Sequence, residues 1–323
     1  MRYSKNITIR RYELQSSYFS LLLFSFFLII GYPGLLHAQG SLVRYFDKID
    51  YDEEWNKLAR PSFAMSEPVM DEIYIIDGKG RVIIYSSDLF PLHSLGKSDK
   101  IELPEGLTVD PDGNLYVAQS YSENNPRYRI SVFNPCLKWM RDIYLDGFEG
   151  AESFVPHRLA FDKKNNLYIA GLYFPGVLVL DNNFKIIDIM SPAEDEKKVA
   201  LINVSIDDSG LIYLVSEETG HIYVYDENRK FIYQFGEKGG STGKLSRPRA
   251  VAIDNKRGWV YVLDYMRHTV NTYDKNGNLL FEFGGMGFSD GWFRFPTDIS
   301  VSKEGDVIVT DLFNHRVQIF KPY

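Results

Sequence analysis

The sequence predicts an all-β fold, a six-bladed β-propeller of four-stranded blades whose last blade is closed by the N-terminal strand. Three observations predict it. Two C-terminal stretches, 245–284 and 295–320, repeat one order of elements: a proline, an alternating strand, a second strand ending in Asp, a loop and a β-branched third strand. The same order recurs upstream at a spacing of roughly 40–50 residues, and a unit of that length built only of short strands is the signature of a propeller blade. Finally, the last unit lacks a fourth strand, while a spare strand stands near the N-terminus.

The elements follow in chain order. Pro61, Pro104, Pro156, Pro248 and Pro296 each open a first strand, and Leu201-Ile202 stands at the corresponding place in the remaining unit. First strands read SFAMSE, EGLTVD, HRLAFD, INVSID, RAVAID and TDISVS; second strands read EIYIID, NLYVAQ, NLYIAG, LIYLVS, WVYVLD and DVIVTD. Asp-rich turns join them, as in Asp110-Pro111-Asp112-Gly113-Asn114, where Asp caps local N–H groups and Gly takes positive φ. They lack the spacing and terminal Glu of a calcium loop. Third strands read RVIIYS, RISVFN, GVLVLD, HIYVYD, TVNTYD and RVQIFK, and five fourth strands follow. The missing sixth is Ser41–Ile49, an orphan strand whose position in the last blade removes two free sheet edges.

The first 38 residues stand apart. Arg2, Lys5, Arg10 and Arg11 precede an apolar run from Tyr18 to Ile30, and Ala38 ends a small-residue site, the layout of a signal peptide. An uncleaved anchor is the alternative, since the run through Leu36 approaches spanning length. Either way the chain is expected to be exported, to the periplasm, cell envelope or extracellular space. Residues 41–323 form the propeller. The whole chain carries −7; the leader, with four basic residues and Glu13, is +3, so the remainder is −10. That charge disfavours nucleic acid and anionic lipid as partners. Cys136 is the only cysteine, so no intrachain disulfide forms, and it reads as a small, partly buried hydrophobe. The 22 Phe, 22 Tyr and 4 Trp supply the area for packing between blades.

At Asp311-Leu312-Phe313-Asn314-His315-Arg316-Val317-Gln318-Ile319-Phe320 the repeat resembles the NHL family, with Asp264–Val270 a weaker copy and the linkers 235–248 and 283–296 similar to that family's blade junctions. The likeness fades in the middle, where Gly171 replaces the Asp and Gly176 the basic residue. The resemblance implies a six-bladed ring whose upper face binds protein, peptide or RNA. It also implies that Asp311 and Arg316 brace one blade, with Asp77 and Arg81 repeating the pair and Thr269 breaking it opposite Asp264.

Several motifs suggest chemistry. Gly239–Lys244 lacks both the first glycine of a phosphate loop and its magnesium-binding hydroxyl, and it joins strands rather than opening a helix. Gly284-Gly285-Met286-Gly287 fails as a dinucleotide fingerprint for the same reason. First strands line a propeller's channel, so the residues that open them should ring one mouth: Glu105, His157, Arg158, Asn203, Arg249 and Asp298. Val155–Leu159 looks like one zinc-ligand segment of the peptidylglycine amidating lyases, and Glu105, Asn203 and Asp298 have the oxygen chemistry of a gluconolactonase-type calcium site. The other zinc positions hold Glu105, Arg249 and Thr297, and Arg158 and Arg249 oppose a cation. The expectation is therefore a monomeric, non-enzymatic binding or scaffold module without cofactor or metal. Its protein or peptide ligand would meet the mouth and the long 120–128 loop. A metal-dependent lyase or lactonase is the alternative.

Overall fold

The structure, a computed structural model, describes residues 42–67, 69–194 and 197–323. The leader and its cleavage point lie outside them. Six four-stranded antiparallel sheets follow one another along the chain. Their inner strands are Phe63–Ser66, Pro104–Val109, Val155–Phe161, Asn203–Ile206, Pro248–Asp254 and Pro296–Val301. Each inner strand packs beside the next, and the last packs beside the first, which closes a ring of blades one to six. Among the described residues no helix is long and apolar enough to cross a membrane.

The hydrophobic interior is divided into six clusters, one for each seam between neighbouring blades. Blades one and two, for example, share Phe63, Ile84, Leu107 and Val117, and blades four and five share Tyr213, Val224, Val251 and Val262. Second and third strands are buried on both faces, as in IYII (Ile73–Ile76) and VLVL (Val177–Leu180), because each face looks onto a neighbouring sheet. Each fully buried aliphatic or aromatic side chain contributes about 1.5–3 kcal/mol.

The expected closing strand is present. Val43–Ile49 pairs antiparallel with Arg316–Pro322, and the register shifts between Tyr45 and Asp47. The extra residue, Phe46, reverses which face follows. Val43 and Tyr45 lie with Phe320 in the seam between blades five and six, whereas Ile49 lies with Val317 and Ile319 in the seam between blades six and one. Without the bulge, Ile49 would fall on the same face as Val43 and Tyr45.

The Asp–Arg braces form as expected. Arg316 Nε donates to Asp311 Oδ2 at 2.9 Å, and Arg81 Nη2 to Asp77 Oδ2 at 2.8 Å. In blade five Arg267 takes over from Thr269, reaching Lys244 O at 3.0 Å and both Glu282 oxygens at 3.1 and 2.9 Å. Blade three substitutes an apolar brace. The ring of Phe154 fills the place a side chain at Gly171 would occupy, and it packs edge-on against Phe148 and Phe174 at 5.4 and 4.9 Å. Cys136 is exposed, in the turn before blade two's outer strand, rather than partly buried. A hairpin turn has no neighbouring sheet to cover it.

Candidate functional site: the channel mouth

Four inner strands begin with a β-bulge, at Pro104/Gly106, Pro156/Arg158, Pro248/Ala250 and Pro296/Asp298. The extra residues are Glu105, His157, Arg249 and Thr297. A bulged residue leaves the ladder and is re-aimed, so the rim residues and the paired residues behind them form two tiers.

The lower tier is a plug. Arg158 of blade three is buried, and its Nε lies 3.3 Å from Asp298 Oδ1 of blade six, on the opposite side of the ring. Its Nη1 donates to Glu105 O of blade two at 2.7 Å and to His157 O at 3.2 Å, and its guanidinium stacks 4.8 Å from the centre of the Phe63 ring of blade one. One side chain thus joins four blades across the axis. Gly106 is required here, because a Cβ at that position would overlap the carbonyl oxygen of His157. Burial pushes Asp298 up to about 6, even though Arg158 and the Ala64 N–H oppose the shift.

The upper tier is the rim. Glu105 accepts from Ser120 Oγ at 2.7 Å, and its other oxygen lies 3.9 Å from His157 Nδ1. Burial, then Arg158, then Arg249 hold His157 well below its ordinary value, so the imidazole is neutral. Arg249 Nε lies 3.3 Å from Glu217, which also pairs with Arg247. Asn203 is buried on its inner strand, and among the described residues no hydrogen bond or ion pair joins its side chain to the other five. The sequence-predicted ring is therefore partly assembled: Arg158 gathers Glu105, His157 and Asp298, while Arg249 answers to Glu217. The oxygen set considered for calcium is not assembled, since Arg158 occupies Asp298. Among the described residues no three His, Cys, Asp or Glu side chains come together as a metal site.

Sequence reasoning missed an arc of side chains beside the rim. Tyr265 and Phe295 are 5.1 Å apart, and Phe295 and Phe313 are 5.4 Å apart. Arg249 lies over Tyr265 at 4.3 Å, and Arg60 over Phe313 at 5.6 Å. Arg60 and Phe295 each precede a blade-opening proline, yet both have positive φ, 48° and 52°. A residue before proline is normally extended, so this backbone is doubly disfavoured and must be held. Two loop histidines lie against these two residues. His268 Nδ1 accepts the Phe295 N–H at 2.9 Å, and His315 Nδ1 lies 3.0 Å from Leu58 O and 3.3 Å from the Arg60 nitrogen, one of which it bonds according to its tautomer. The likeness of EEWNKLARP (53–61) to DGWFRFP (290–296), which sets Arg60 opposite Phe295, was the signal that could have found them.

His268 gives a modest, testable effect. Burial holds it below its ordinary 6.5, so below that pH the unfolded chain binds more protons than the folded one and stability falls with pH. Replacing His268 with Gln is expected to weaken the loss between pH 7.5 and 5.5, measured as urea midpoints. At pH 7.5 it should cost about 1–2 kcal/mol through the strained Phe295 N–H. An unchanged pH slope would remove His268 from this role.

The fold is a six-bladed β-propeller, and its mouth is built in two tiers. Residues 293–320 match the NHL repeat family model. No curated protein matches the sequence. Solved structures that resemble it include a Bacteroides thetaiotaomicron protein of unknown function, 12% identical over 86% of this chain and 72% of that one, with a TM-score of 0.65. An auxiliary nutrient binding protein from Bacteroides ovatus is 15% identical over 87% and 72%, with a TM-score of 0.62. An inactive virginiamycin B lyase from Staphylococcus aureus, solved with quinupristin, is 11% identical over 86% and 87%, with a TM-score of 0.59. At such identities the likeness shows the fold alone.

Proposed function

We propose that the chain is an exported, non-enzymatic binding module that takes a peptide or protein segment across the channel mouth. The carrying observation is the sealed floor beneath a charged rim: with Arg158 and Asp298 closing the axis, a ligand lies over the mouth rather than entering it. The strained, histidine-held arc beside it offers aromatic surface flanked by Arg60 and Arg249, a combination common where proteins grip peptides. The leader-like N-terminus supports export, and the nutrient-binding neighbour is consistent with a binding role.

Phage-displayed random peptides selected on the intact protein test this reading. Enriched peptides are expected to lose at least about tenfold in affinity on Arg60→Ala, Phe313→Ala or Arg249→Ala. They should bind normally to Met140→Ala, on the outer strand of blade two. Equal binding to all four variants would move the site away from the mouth.

A further inference from the structure

A second site lies away from the axis, at the rim of blade six. There the linker 285–295 folds back beside the closing strand and encloses a cleft of about 530 Å³. Lys48, Asp50, Lys57, Phe288, Asp290 and Asn314 line it. The volume falls in the range of small-molecule sites.

Phe288 is 72% exposed, with one face covered by the Arg294 guanidinium at 4.6 Å. Its linker is held in place. Phe293 N–H donates to Gly285 O at 2.8 Å and Gly287 N–H to Phe293 O at 3.0 Å, while Trp292 covers both glycines so closely that a Cβ on Gly285 would collide with its ring. The ring is therefore presented on fixed backbone, and water gains nothing from it.

Some of the polar groups around it are also fixed. Asp290 is held between Lys48 at 3.1 Å and Arg316 at 2.8 Å. Asn314 commits its amide protons to Gly287 O and Asp311 at 2.9 and 2.8 Å, which leaves its Oδ1 as an acceptor. The Asp50 carboxylate and the Lys57 ammonium have no side-chain partner among the described residues. Arg316 is spent on Asp311, Asp290, Ser289 O and Trp292 O. Lys48, Lys57 and Arg316 then stand against Asp50, Asp290 and, behind Arg316, the buried Asp311, so the cleft and its backing are electrically balanced.

We propose that this cleft binds the neutral pyranose ring of a saccharide. The C–H face of such a ring covers Phe288. Adjacent hydroxyls donate to the Asp50 carboxylate and Asn314 Oδ1 and accept from Lys57, a pattern that needs donors and acceptors side by side. The balanced charge favours this occupant over a phosphate or carboxylate, which would meet Asp50 and Asp290.

An array of neutral and anionic glycans, probed with the intact protein and followed by titration of the bound members, tests the assignment. Binding of neutral glycans that share a terminal hexopyranose is expected. It should fall at least tenfold on Phe288→Ala and on Asp50→Asn, two exposed or half-buried changes that leave the cores intact, and persist in Arg60→Ala at the mouth. Three results would overturn it: no glycan bound, affinity unchanged in both cleft variants, or binding confined to sulfated or sialylated glycans and abolished by salt.

Discussion

Replacing Arg158 with Leu is expected to lower the unfolding free energy by about 3–5 kcal/mol at pH 7.5, because it strands the buried Asp298 carboxylate. The guanidinium also ties Glu105 O and the Phe63 ring into the axis, so the loss should be felt in four blades at once. The pH dependence gives a sharper readout. Asp298 is raised from 3.8 to about 6, so between those values the folded protein binds more protons than the unfolded chain, and this group's contribution declines as pH rises through the window. His157 works in the opposite direction: held below 6.5, it makes stability decline as pH falls. Removing Arg158 pushes Asp298 higher still and relieves the repulsion on His157. The variant should therefore regain stability, relative to the parent, between pH 7.5 and 5.5 in urea titrations. A second change, Asp298→Leu, should restore most of the loss at pH 7.5, since a well-packed apolar pair can replace a buried ion pair. A single variant as stable as the parent at both pH values would mean the guanidinium does not close the channel.

Deleting residues 42–49 is expected to have a comparable or larger effect. The deletion strips Val43 and Ile49, each 3% exposed, from two different seams and leaves the strand Arg316–Pro322 as a bare edge. Two buried aliphatic residues, the half-buried Tyr45 and a row of ladder hydrogen bonds amount to at least about 5 kcal/mol. At about 2–4 °C per kcal/mol, Tm should fall by about 10–20 °C. The exposed edge should also make the truncated protein self-associate as its concentration rises. A synthetic peptide of residues 42–50 added in trans should restore Tm in a saturable manner. Melting unchanged by the deletion, or by the peptide, would show that blade six is stable with three strands.

The ring was legible in the sequence because blades announce themselves locally. Prolines open first strands, Asp-Gly turns separate strands, and period two holds within each strand. The closing strand was legible as arithmetic, one unit short of a strand and one strand spare. Its bulge at Phe46 was not, since nothing local distinguishes that residue from its neighbours. The mouth was legible as positions but not as partnerships. Glu105 and His157 fall where expected, yet Arg158 reaches across the ring to Asp298, and Arg249 pairs with Glu217 from a neighbouring hairpin. Such contacts depend on how six sheets are arranged in space, which no window of residues encodes. Gly171 and Gly176 looked like decay of the repeat. Gly171 is the room that the Phe154 ring requires, and Gly176 leaves room for Ile189 and the Met190 carbonyl of the neighbouring strand.

The pairing of Val43 with Pro322 also fixes an order of events. One strand of the last sheet is made first and the other three last, so the ring cannot shut until the strand Arg316–Pro322 has left the ribosome. Until then blades one to five have only part of their seams, and the early strand waits without its partner. Closure is a contact of very long sequence separation, the kind that forms late and slowly. Until that pairing is made the ring stays open, with one sheet edge bare at each side of the gap.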